Sequence, residues 1–162
     1  MPSGHRTDLN LANVKSKKDK SLTYIRNELL KLDKHFRART VIFLGESHTN
    51  DIDIAINTSL VAAPPLLRDN ATRVIFERLL DNRYEAGTST DVDCKTEKID
   101  LNATPLERSK RMAVMIEDAF VNDAKTLVYV VCGSRHGPEI FTALEKICSA
   151  EFSYVIKPSV TD

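Results

Sequence analysis

Three short, nearly unbroken apolar runs constrain this chain most: "TVIFLG" at 40–45, "TRVIFE" at 72–77 and "TLVYVVCG" at 126–133. They are rich in β-branched residues and lack the alternation of a strand with one wet face. Each therefore reads as a strand covered on both sides, the kind found in parallel sheets whose crossover helices lie over the two faces. The intervening segments supply such helices. Residues 21–37 put Leu22, Ile25, Leu29, Leu32 and Phe36 on one helical face, with Ser21 in the capping position. A second helix is expected from Asp51 to Leu60, stopping near Pro64 and Pro65. "TPLE" at 104–107 is a helix start, with Thr104 as cap, Pro105 in the first turn and Glu107 three residues on. That helix should run to about Asn122 and bury Leu106, Met112, Met115, Ile116 and Phe120 in part. Residues 138–148 read as a helix with Ile140, Phe141, Leu144 and Ile147 inward, and "FSYVIK" at 152–157 as a last strand. Strands alternating with helices predict an α/β fold, a largely parallel open sheet of four or more strands flanked by helices.

The length of 162 residues suits one domain. We expect that domain to span 21–162, preceded by a polar, disordered segment at 1–20. The basic run at 15–20 reads as a solvated stretch. Residues 81–103 are polar and aperiodic, and read either as a lid or binding loop or as disorder; an edge strand could hide there. Lys+Arg and Asp+Glu are both 23, so the formal net charge is zero, which argues against nucleic acid as the main partner. No stretch is apolar enough to span a bilayer, and residues 1–20 lack the apolar core of a secretory signal. Cys94, Cys132 and Cys148 are odd in number and widely spaced, so no disulfide framework is expected; Cys132 and Cys148 read as small core residues.

Ligands of open α/β sheets bind beyond the carboxyl ends of the strands. There the first run delivers Gly45, Glu46 and His48, the second Glu77, and the third Gly133, Ser134, Arg135 and His136. Two copies of Gly-x-x-His, each directly after a buried strand, point to one shared site. A glycine permits a sharp turn and close approach of a ligand to backbone, and a histidine can serve as acid, base or metal ligand. The plainer alternatives are that Glu46 caps the next helix, that the histidines are satisfied core residues, and that Glu77 forms a surface ion pair with Arg78. Glu139 reads as a first-turn carboxylate, and His5 and His35 as surface residues.

"LGESH" at 44–48, "VIFER" at 74–78, "RSKRMAVMI" at 108–116 and "CGSRHG" at 132–137 together resemble the superfamily of erythromycin esterases, ChaN-type haem-binding lipoproteins, and TraB and Tiki proteins. Family members are usually longer, with helical insertions that build the pocket, so this chain resembles a minimal core with a shallow site. The resemblance implies a hydrolase in which His48 is the general base, Glu46 or Glu77 orients it, Arg108 binds an anionic group or oxyanion, and His136 is a second acid/base. Gly45, Gly133, Ser134 and Arg135 would line the ligand. A variant holds a divalent metal, manganese, zinc or cobalt, on His48, Glu77 and His136, as the resemblance to Tiki proteins implies. Compact members also occur in bacterial toxins and secreted effectors. On that reading the protein is cytoplasmic on synthesis, is secreted into a host cell by a specialised route, and meets a small-molecule or protein substrate or a host protein. The contrasting expectation is a non-enzymatic module that keeps the fold and acts by contact, with haem binding through Tyr84 or a histidine as a sub-case.

Overall fold

The three apolar runs become the three central strands of one sheet. The computed structural model describes residues 3–12, 14, 18–77, 92–96 and 102–160. Among them the elements occur in the order β1 (Gly4–Asp8), α1 (Lys18–Leu32), a 3-10 turn (Asp33–His35), β2 (Arg39–Glu46), α2 (Asp51–Ala62), β3 (Thr72–Phe76), β4 (Asp93–Thr96), α3 (Pro105–Val121), β5 (Leu127–Gly133), α4 (His136–Ile147) and β6 (Phe152–Lys157). The sheet order is β1-β6-β2-β5-β3-β4, and every neighbouring pair is parallel. Strand periodicity divides the runs between two cores. Ile42, Leu44, Val74, Phe76, Tyr129 and Val131 face a core shared with Ile25 and Leu29 of α1 and Ile56 and Leu60 of α2. Val41, Phe43, Ile75, Val128, Val130 and Cys132 face the other, with Met112 and Ile116 of α3 and Ile140 and Leu144 of α4. Both faces are buried, which is why the runs are unbroken. No helix among the described residues is long and apolar enough to cross a membrane.

Several local expectations change. Residues 4–8 are not a disordered tail: Gly4–Asp8 is an edge strand in register with Phe152–Ile156 of β6. Its side chains are mostly exposed, so the backbone ladder holds it and its polar composition carries no strand signal. Gly4 is needed there, because a Cβ would lie 2.6 Å from Phe141 Cε1. The domain therefore includes residues ahead of 21. An edge strand does lie within the polar segment, β4; the rest of the proposed lid at 81–91 and 97–101, with Tyr84 and Arg78, lies outside the described residues. Helix α1 begins before Ser21, whose buried hydroxyl donates to the Val14 carbonyl (2.5 Å) rather than capping. On α3 the capping box at Thr104 and Glu107 forms as expected, but Leu106 is exposed, as is Ile147 on α4.

Register brings the strand ends level. Glu46 pairs with Gly133, Phe76 pairs with Val131, and Glu77 N–H donates to Val131 O at 2.9 Å. With β5 seated between β2 and β3, the polar residues at the carboxyl ends of these strands meet at one edge.

Candidate active site

Glu46, the last residue of β2, is buried. The next helix is capped by Asn50, whose Oδ1 accepts from Asp53 N–H, so Glu46 is not the cap. Its Oε2 meets His48 Nδ1 at 3.1 Å, and its Oε1 accepts from Asn57 Nδ2 at 3.0 Å. On its other side, His48 Nε2 meets Glu77 Oε1 at 3.0 Å. Glu77, buried immediately after β3, uses its second oxygen to meet His136 Nε2 at 3.1 Å, and Gly133 N–H donates to its first at 3.2 Å. His136, the first residue of α4, turns Nδ1 to Ser109 Oγ of α3 at 2.7 Å, and that hydroxyl also reaches Glu139 Oε1 at 3.4 Å. An unbroken chain of contacts thus runs Glu46–His48–Glu77–His136–Ser109–Glu139.

The two glycines serve close approach. Neither has a positive φ, so no sharp turn requires them. A Cβ on Gly133 would sit 3.2 Å from His48 Nε2 and 3.5 Å from His136 Cδ2, in the space where the two rings converge. One on Gly45 would sit 3.0 Å from the Lys157 carbonyl and 3.1 Å from Ser134 Cβ.

Charge is set by this geometry. Hydrogen bonds to Glu46 and then Glu77 push His48 up to about 9 from 6.5, against a smaller effect of burial. At neutral pH His48 is therefore an imidazolium, donating from both nitrogens. An imidazole held in that state has no lone pair for a proton, so the resting site does not suit His48 to the general-base role expected of it. Burial pushes the Glu77 carboxyl up, but the hydrogen bonds from His136, His48 and the Gly133 N–H outweigh it and hold Glu77 well below the usual carboxylate range.

Four of the expected catalytic residues, Glu46, His48, Glu77 and His136, come together. Arg108 does not join them by any hydrogen bond among the described residues; its Nε is buried there without an acceptor, one position before Ser109. Ser134 N–H donates to Glu46 O at 3.1 Å, holding the β5–α4 turn against β2, whereas Arg135 is exposed. The expected metal set also shifts. The ligand atoms that lie within 4.8 Å of one another belong to Glu77, Cys132 and His136, with Cys132 in place of His48. A carboxylate, a thiol and an imidazole suit zinc or cobalt better than manganese, and an ion held there would supply Lewis-acid chemistry. Burial, with the nearby Glu77 charge, raises the Cys132 thiol, so binding would have to displace its proton.

Sequence reasoning missed the supports. Asn57 anchors Glu46 and is itself fixed by the fully buried Lys157, whose Nζ donates to Asn57 Oδ1 at 2.8 Å and Gly45 O at 2.7 Å. Asp53 accepts from Ser47 N–H (2.8 Å), Val160 N–H (2.8 Å) and the Ser159 hydroxyl, tying the Glu46–His48 loop to the segment after β6. The legible signal was Asp53 and Asn57, four residues apart on α2 and interleaved with Ile54, Ile56 and Leu60; Ser109 and Lys157 gave none. Comparison with known proteins returns no matching family model, no matching curated protein and no matching solved structure.

Proposed function

We propose that this protein is a hydrolase of the kind its motifs resemble, with the Glu46–His48–Glu77–His136 network as its acid/base apparatus. The observation that carries the reading is that Glu77 bridges two imidazoles, one oxygen to each, at the meeting of three strand ends. Two rings on one carboxylate form a couple in which one can donate a proton while the other accepts. His48, already charged and the more exposed ring, is the acid and the source of positive charge toward a developing oxyanion. His136 is the second acid/base, its Nε2 on Glu77 and its Nδ1 on the Ser109 hydroxyl, the one contact through which it could exchange a proton beyond Glu77. The orphaned Arg108 Nε is a donor for an anionic group brought by substrate. The likeness to compact toxin and effector domains favours a small ester or a protein substrate in a host cell.

The test is hydrolysis of a panel of nitrophenyl esters and unstructured peptides by the wild type, Glu77→Gln and His136→Ala, with circular dichroism to confirm folding. Loss of one acid/base group should cost about 10²–10⁴ in rate. Full activity in a folded His136→Ala or Glu77→Gln protein would sink the reading. If the wild type cleaves nothing, a module acting by contact replaces it.

A further inference from the structure

Outside the site, the least conventional surface lies along α3. Among the described residues six large hydrophobic side chains are exposed, and four share this face: Leu106, Val114 and Val121 on α3, and Ile147 beside them on α4. Leu106, Val114 and Ile147 line a groove between the two helices with a volume of about 500 Å³. Scattered exposed apolar residues need no explanation, but this many on one helix face do.

The charges on α3 say what fits there. Counting from Val114, Lys110 and Arg111 stand four and three residues before it, and Glu117 and Asp118 three and four residues after it. Basic and acidic members are two turns apart, too far to pair within one helix. A second α3 laid antiparallel, with a two-fold axis at Val114, sets the basic pair of each copy against the acidic pair of the other. The same register places Val114 over Val114 and brings Leu106 of one copy within one residue's rise, about 1.5 Å along the axis, of Val121 of the other. Glu117 already meets Arg39 at 3.3 Å, and the exposed Asp118 accepts from Asn122 Nδ2 at the end of the same helix.

We infer that the α3–α4 face binds a second copy of this chain, as a two-fold dimer with the α3 helices antiparallel about Val114. An isologous interface needs a patch complementary to itself, and charges of opposite sign placed symmetrically about an apolar centre are such a patch. The inference is independent of the hydrolase reading, because the apolar residues of the face lie outside the imidazole–carboxylate network.

Sedimentation velocity of the full chain over a range of concentrations should show a monomer–dimer equilibrium. Val114→Asp should weaken it at least about tenfold, with circular dichroism and melting unchanged because Val114 is exposed in the monomer. Arg111→Glu should weaken it, and Arg111→Glu with Asp118→Arg should restore it. Register is read by cysteine cross-linking in a Cys94→Ser background. Val114→Cys should link to itself on mild oxidation; Leu106→Cys should link to Val121→Cys but not to itself. A monomer at every concentration, a dimer indifferent to Val114→Asp, or links in another register would overturn the inference.

Discussion

At His48 two carboxylates compete for one imidazole, and the contest sets what the residue can do. In protein freed of metal by chelation, its ring resonances should titrate near pH 9, and Glu46→Gln should bring the midpoint back toward 6.5; a wild-type midpoint near 6.5 would contradict the geometry. Since the folded value lies above the ordinary one, the stabilisation is complete below pH 6.5 and is lost as pH rises through about 9. Glu77 has the opposite sign: its contribution is full above its ordinary 4.5 and is lost as pH falls toward its depressed folded value. Gly133→Ala is a sharper probe. Its new Cβ intrudes on His48 Nε2, so hydrolysis should fall well beyond the roughly 1 kcal/mol of overpacking seen in denaturant unfolding.

At the scale of elements, the edge strand β4 is held by ions as much as by its ladder. Arg73 Nε donates to Asp93 Oδ1 at 2.6 Å, its NH1 to Asp123 Oδ2 at 2.6 Å, and Lys125 Nζ lies 2.7 Å from Asp93 Oδ2. Burial pushes the Asp93 carboxyl up, but Arg73 and Lys125 outweigh it, so its folded value is below the ordinary 3.8. The resulting stabilisation is present above pH 3.8 and is lost as pH falls through the lower folded value. Amide exchange measured from pH 2 to 6 should therefore show β4 opening in acid before β5, and Asp93→Asn should open it at neutral pH. For α3, Thr104→Ala removes an observed capping box and should cost about 1 kcal/mol by chemical denaturation.

For the whole molecule, Lys157 ties three elements together, β6 to β2 through Gly45 O and to α2 through Asn57. Lys157→Ala takes the donor from the buried Asn57 Oδ1 and leaves Gly45 O with the longer bond from Asn57 Nδ2 (3.2 Å); it should cost about 1–3 kcal/mol and should disturb His48 through Asn57 and Glu46. Equal melting of mutant and wild type would show that this tie is not needed. The open parallel sheet, its central strands and the capping box of α3 were legible in the chain, because continuous β-branched runs and cap chemistry act over a few residues. So was the gathering of Glu46, His48, Glu77 and His136, since parallel strands deliver the residues at their carboxyl ends to one edge. Strand β1 was not legible: its bonds are backbone bonds to Phe152–Ile156, almost 150 positions away, and its side chains carry no trace of them. Nor was the charge on His48. Three residues in sequence place Glu46 near it, but only the insertion of β5 between β2 and β3 brings Glu77 to its other nitrogen, and only the α3–α4 packing brings Ser109 to His136. The sequence by itself determined which residues stand at the sheet edge; the tertiary structure decided how they are protonated and supported, because a pKa depends on burial and on partners within about 4–6 Å, whatever their separation along the chain.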